Sequence, residues 1–216
     1  MIYPVVLTII LPAFDTPDNP MIACTYGKLK RGMAMDFFSD SKIITAVRNE
    51  DTFNKCLKSD CKVVFLLFGT ILTVSDYVRK LKEYNKTVFV HLDLIEGLSS
   101  SRSSVDYIDK MTQADGIISI KQSLLKYAKT LGFITVLRVF MLDSKSIESL
   151  EKIDSDPSVD IIEMMPGVTL TILCNEIAGS KKTIIAGGLI RSGDDVTRIL
   201  RSGASAISTS DSRLWE

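Results

Sequence analysis

A closed (β/α)8 barrel, the TIM-barrel class of α/β folds, is the architecture this 216-residue sequence predicts, on three observations. From residue 42 onward, short apolar runs alternate with amphipathic stretches. The runs are continuously apolar, as strands buried on both faces of a parallel sheet must be, because neither face meets water. Eight such runs occur with no linker dividing them. Ring closure needs eight strand–helix units, whereas a doubly wound open sheet has more commonly five or six strands.

The predicted strands are Lys42–Arg48 (KIITAVR), Val63–Gly69 (VVFLLFG), Thr87–Leu94 (TVFVHLDL), Asp115–Ile120 (DGIISI), Ile134–Met141 (ITVLRVFM), Asp160–Met165 (DIIEMM), Thr183–Leu189 (TIIAGGL) and Ala204–Ser210 (ASAISTS). Each is rich in Val, Ile or Phe, or in small residues. Between them, Ser75–Tyr84, Gln122–Leu131, Ser144–Ile153 and Gly193–Arg201 repeat their apolar residues at helical spacing. Val196, Ile199 and Leu200 form the stripe expected to face the sheet. Ser or Asp near several helix starts supplies an N-cap.

Composition narrows the function. Hydrophobic residues make up 46% and charged residues 24%, which suits one globular domain and excludes a disordered chain. Lys plus Arg equals Asp plus Glu at 26 each, so no global field draws nucleic acid, and RNA contact would need a local basic face. Cys24, Cys56, Cys61 and Cys174 show no CxxC spacing and read as free thiols of a reducing compartment. His91 is the only histidine, which excludes any mechanism that needs two. No run approaches the roughly 18 apolar residues of a membrane span, so no membrane partner is expected.

Residues 1–35 read as an N-terminal arm or a stretch ahead of a true start at Met33 or Met35, and residues 36–216 as the single barrel domain. PAFDTPDNP from Pro12 to Pro20 reads as loop, and Lys28, Lys30 and Arg31 as a solvated tail.

Barrels carry their ligands at the C-terminal ends of the strands. The strongest signal lies at the last two. IAGGLIRSGDD places Gly187 and Gly188 at a strand end before a helix, and AISTSDSRLW places Ser208, Thr209 and Ser210 before a short terminal helix. Glycine lets backbone N–H groups close on an anion, and a helix N-terminus adds a favourable field, so phosphate binding is the expectation there. Easing a tight turn is the plainer role for the glycines. Asp194 and Asp195 fit the first turn of the helix better than a ligand contact.

The third strand end, VHLDLIEGL, is the second constellation. Period two puts His91 and Asp93 on one side, and Arg48, Glu96, Arg138 and Glu163 complete a polar mouth. Such a ring fits recognition of a polyol phosphate, and equally an ion-pair network that only holds the barrel together. No catalytic residue, cofactor or resident metal is expected. Asp93 and Glu163 offer carboxylates to a divalent cation, but two on separate strands do not specify one. Arg79, Lys80, Lys82 and Lys86 near the second helix, with Lys126 and Lys129 on the fourth, are candidate RNA contacts, although charge runs on barrel helices are usually a solvated face. Trp215 is expected to close one end of the barrel by packing.

At these same segments the sequence resembles the glycerol-3-phosphate-responsive antiterminator family, over roughly Ser39 to Trp215. The resemblance rests on KIITAVRNEDTFNKCL, VVFLLFGTIL, KTVFVHLDLIEGLS, DGIISIKQSLLKYAKTLG, VLRVFMLDS, DIIEMMPGV, IIAGGLIRSGDDV and AISTSDSRLW, in the family's order. It implies a cytoplasmic bacterial regulator, without enzymatic activity, that binds glycerol 3-phosphate and acts on leader mRNA of glycerol-utilisation genes. It also implies that Gly187, Gly188, Ser208, Thr209 and Ser210 hold the phosphate, with Arg48, His91, Asp93, Glu96, Arg138 and Glu163 lining the rest of the mouth. Two departures stand out: Thr70 follows Gly69 where the family often has aspartate, and LSSSRSSV replaces a more acidic stretch. A homodimer matches the usual habit of regulators of this size. The alternatives are a barrel enzyme acting on a small phosphorylated metabolite, for which Lys121 is the nearest candidate Schiff-base lysine, and a regulator working through a protein partner.

Overall fold

The computed structural model describes Phe38 and residues 41–215. The strands β1 (Ile43–Val47), β2 (Val63–Leu66), β3 (Thr87–His91), β4 (Gly116–Ser119), β5 (Ile134–Phe140), β6 (Ile161–Met165), β7 (Thr183–Gly187) and β8 (Ala206–Thr209) are all parallel. They close in chain order, with β1 pairing to both β2 and β8. Helices α1 (Glu50–Lys58), α2 (Val74–Glu83), α3 (Arg102–Met111), α4 (Gln122–Leu131), α5 (Ser144–Asp154), α6 (Cys174–Ile177) and α7 (Gly193–Arg201) alternate with them. The eight-stranded barrel expected from the apolar runs is therefore present. The N-terminal arm expected over residues 1–35, with Cys24, lies outside the described residues.

Most strands stop before the apolar run does, and backbone geometry says why. β3 ends at His91 because Leu92–Leu94 winds into a 3₁₀ turn. β7 ends at Gly187 because Gly188 and Leu189 both take positive φ, +77° and +57°. Gly69, at +109°, lies in the loop beyond β2.

Two apolar layers follow from the period-two alternation. Ile44, Val63, Phe65, Phe89, Ile118, Val136, Ile161, Ile185 and Ala206 fill the interior, joined by Phe38. Their neighbours Val64, Val88, Ile117, Leu137, Ile162, Ile184 and Ile207 face outward under the helices. The interior is tight: the edge of Phe65 meets Phe89 at 5.5 Å between ring centroids, and a Cβ on Gly116 would fall 2.3 Å from the Phe89 ring. Burying such rings stabilises by about 1.5–3 kcal/mol each. Ile199 is buried, with Val196 and Leu200 packed beside it, as the helical spacing requires. Trp215 packs in the outer shell, where its indole Nε1–H donates to the Thr209 carbonyl and the Trp215 carbonyl accepts from the Cys61 thiol.

The N-terminal end of the barrel is held by repeated polar staples. Asp115, just before β4, accepts the Val88 N–H at 2.7 Å and the Lys82 ammonium at 2.8 Å. Asp160, just before β6, accepts the Thr135 N–H and hydroxyl at 3.0 Å and pairs with Lys129. Each carboxylate satisfies a backbone donor where a strand begins, and a lysine balances its charge.

Candidate functional site

Strand parity carries the interior from apolar to polar at the C-terminal end. The residue two beyond Phe89 is His91, beyond Val136 is Arg138, beyond Ile161 is Glu163, beyond Ile185 is Gly187 and beyond Ala206 is Ser208. The first three side chains and Ser208 are almost wholly inaccessible, with His91 2% and Glu163 1% exposed. Buried charges at this level must be paired.

Glu163 is the hub. One carboxylate oxygen accepts from Arg138 Nε at 2.8 Å, across the β5–β6 register that sets the two residues side by side. The other accepts the Ser208 hydroxyl at 2.6 Å from β8. Between β6 and β8 stands Gly187, and its lack of a side chain makes room: a Cβ there would lie 2.5 Å from Ser208 Oγ and 2.7 Å from Glu163 Oε1. The Ser208 proton is thereby committed to Glu163.

His91 and Asp93 form the other half. Asp93 leaves strand geometry in the Leu92–Leu94 turn, yet its Oδ2 stays 3.6 Å from His91 Nδ1 and accepts the Ile120 N–H at 3.0 Å. Burial, then the nearby Arg138 charge, press the imidazole pKa from its ordinary 6.5 down to about 3, against the opposing pull of Asp93. The ring is neutral at physiological pH. Both its nitrogens and Asp93 Oδ1 are buried without a hydrogen-bond partner among the described residues.

At the rim, Arg48 Nη1 reaches Ser210 Oγ at 3.5 Å, bringing the first strand end to the last. Gly188 accepts the Gly167 N–H on its carbonyl, and a Cβ at 188 would press to 2.9 Å of Met165 Cε. Thr209 falls on the outer side of β8, and its hydroxyl accepts the Asp211 N–H. Glu96 is exposed at the rim, where its backbone pairs with Thr70 and Gly69. The helix N-termini beside β7 and β8 are occupied by the chain's own acceptors. Ser192 and Asp195 close a capping box on α7, and Asp211 accepts the Arg213 N–H. Large apolar side chains stand exposed at the end of β5 and on the loops around the mouth, among them Phe140, Leu72, Leu142, Ile172 and Leu189.

The model of the glycerol-3-phosphate responsive antiterminators matches residues 43–215, the whole barrel described above. The chain belongs to that family. The protein YgcP of Escherichia coli K12, itself uncharacterized, is 34% identical over 173 residues, covering 80% of this chain and 91% of YgcP. A glycerol uptake operon antiterminator regulatory protein from Listeria monocytogenes superposes with a TM-score of 0.77 at 29% identity, covering 82% of this chain and 96% of that one. A glycerol uptake operon antiterminator-related protein from Thermotoga maritima gives 0.71 at 37% identity, covering 80% and 96%.

Within this family member, the expected site residues divide. Arg138, Glu163, Ser208, Gly187, His91 and Asp93 meet in one buried layer, and Arg48, Gly188, Ser210 and Glu96 lie at the rim above it. The expected RNA contacts do not form one basic face. Lys86 is withdrawn: it is 4% exposed, its ammonium is held by the Ser59 and Cys61 carbonyls, and burial lowers its pKa. Lys82 and Lys129 serve the staples at the end opposite the mouth. Arg79 is flanked by Asp76 and Glu83, Lys80 lies 5.9 Å over the Phe53 ring, and Lys126 is exposed.

Arg191 was not among the expected site residues. It stands inside the IRSGDD motif, follows β7, is exposed, and like Lys121 after β4 forms no ion pair among the described residues. Among the described residues no group of three or more His, Cys, Asp or Glu side chains is placed to hold a metal ion, and no helix is long and apolar enough to cross a membrane.

Proposed function

We propose that this protein is a glycerol 3-phosphate sensor that controls transcription antitermination on leader mRNA of glycerol-utilisation genes, inside the cell and without turning its ligand over. The observation that carries the ligand assignment is the charge arrangement of the mouth. Glu163 is neutralised by Arg138 and hydrogen-bonded by Ser208, while Arg48, Lys121 and Arg191, on the loops after β1, β4 and β7, form no ion pair among the described residues and outnumber the mouth carboxylates Asp93 and Glu96. A small dianion answers that surplus. In a chain of this family, glycerol 3-phosphate is the ligand the family description names.

The phosphate would sit over β7 and β8, on the Gly188 backbone, Ser210 and the guanidinium of Arg48, with Arg191 in reach from the loop. Gly187 contributes by clearing the Glu163–Ser208 bond. The buried layer would hold the glycerol end. Ligand binding can favour an RNA-competent state only to the extent that it binds that state more tightly.

Isothermal titration with glycerol 3-phosphate tests this. A finite, saturable heat that disappears in Gly188→Val, where a β-branched residue would be forced to φ +77°, supports the sensor. Heat that continues past saturation would instead show turnover and a barrel enzyme. No heat at several temperatures would remove the ligand assignment.

A further inference from the structure

Three polar atoms in the mouth have no hydrogen-bond partner among the described residues: His91 Nδ1, His91 Nε2 and Asp93 Oδ1. Elsewhere in this layer the chain satisfies its buried groups closely, at 2.6 and 2.8 Å around Glu163. Unmade hydrogen bonds in a buried site are costly, and three together on adjacent side chains mark a place built for another molecule's polar groups. Their chemistry is specific. A neutral imidazole offers one donor and one acceptor, and an ionised carboxylate accepts only. Asp93 Oδ2 is already engaged by the Ile120 N–H, which fixes the carboxylate and leaves Oδ1 as the open acceptor. A hydroxyl can donate to Asp93 Oδ1 while accepting from the imidazole N–H. A carbonyl oxygen, which has no proton, would face the carboxylate with nothing to donate.

We propose that His91 and Asp93 form a hydroxyl-reading subsite that makes the mouth selective for a secondary alcohol next to the phosphate-bearing carbon and against the corresponding ketone. This rests on the reading of the mouth as a polyol-phosphate site and adds what decides between oxidation states of the ligand. Burial first, and then the charge of Arg138 held in place by Glu163, keep the imidazole neutral, so that the ring retains an acceptor as well as a donor. Sites built to bond a substrate hydroxyl reject analogues lacking it because their own polar groups are then stranded.

The test is competition titration with glycerol 3-phosphate and dihydroxyacetone phosphate, the same skeleton with a ketone at the central carbon. Wild-type protein should prefer the alcohol by about tenfold to a hundredfold, the cost of one unpaired buried acceptor. In Asp93→Asn the carboxamide oxygen keeps the Ile120 bond while its NH₂ replaces Oδ1 with a donor, so the preference should fall to within about threefold or reverse. A second readout needs no variant. His91 is the only histidine in the chain, so the ring ¹⁵N resonances of untagged protein report this residue alone. They should move on saturation with glycerol 3-phosphate and move differently with the ketone. Equal affinity for both phosphates, an unchanged preference in Asp93→Asn, or ring resonances indifferent to the alcohol would each overturn the subsite while leaving the polyol-phosphate reading intact. Binding of neither phosphate would overturn both.

Discussion

Ser208 donates to Glu163 across a gap that exists only because residue 187 has no side chain. Three strands are thus tied through one carboxylate, since Arg138 on β5 holds its other oxygen. Gly187→Ala should break the Ser208 bond and cost about 1–3 kcal/mol, the penalty for a buried acceptor left unmade. For a domain of this size that lowers Tm by about 2–4 °C per kcal/mol. Ser208→Ala should cost a similar amount, and the double variant less than the sum, because both remove the same bond. Strict additivity in chemical denaturation would show that the bond contributes nothing.

Arg138→Met leaves the Glu163 carboxylate buried beside Ser208 alone. The expected loss is about 3–5 kcal/mol, whereas Arg138→Met combined with Glu163→Met should recover most of it, since a well-packed apolar pair avoids the desolvation of both charges. Urea melts of the wild type and the two variants decide this. A double variant no more stable than Arg138→Met would argue that the pair itself stabilises the barrel.

His91 gives stability a definite pH dependence. Its folded pKa, about 3, lies below the unfolded value of 6.5, so between those values the unfolded chain binds the extra proton. Stability from this residue is complete above about pH 6.5 and declines as pH falls toward 3, by about 1.4 kcal/mol per pH unit within the window. Denaturation of wild type and His91→Asn at pH 7 and pH 5 should show the wild type losing more. The histidine ring should show no NMR titration between pH 8 and 5. A midpoint near 6.5 would contradict its burial.

The staples at the far end should matter to stability and not to ligand. Asp115→Ala strands the Val88 N–H, and Asp160→Ala the Thr135 N–H and hydroxyl, each for about 1–3 kcal/mol. Affinity for glycerol 3-phosphate should stay within about twofold of wild type, measured below the unfolding transition. A large loss of affinity would mean the two ends are coupled.

Lys86 and Lys126 separate structure from RNA contact. If RNA lies along α4, Lys126→Ala should reduce the slope of log K against log salt by about 0.7–0.9, one phosphate contact. Lys86→Met should lower stability and leave the slope unchanged, because its ammonium is spent on the Ser59 and Cys61 carbonyls. A salt slope that drops in Lys86→Met would place RNA where the structure has buried the charge.

The sequence by itself determined the barrel. Eight continuously apolar runs can be buried on both faces only in a parallel sheet, and the stripe of Val196, Ile199 and Leu200 could face only inward. It also determined which strand ends are polar, because Arg138, Glu163 and Ser208 interrupt apolar runs at sites where nothing local would satisfy them. Tertiary structure alone decided the roles. That Gly187 clears a bond between β6 and β8, that the Ile120 N–H fixes Asp93 after its strand has ended, and that Lys86 is buried on the Ser59 and Cys61 carbonyls all depend on contacts between segments distant along the chain. Periodicity reports which way a residue faces along its own strand. Hydrogen-bond partners, and the polar atoms left without one, are set by how neighbouring strands are staggered when the ring closes.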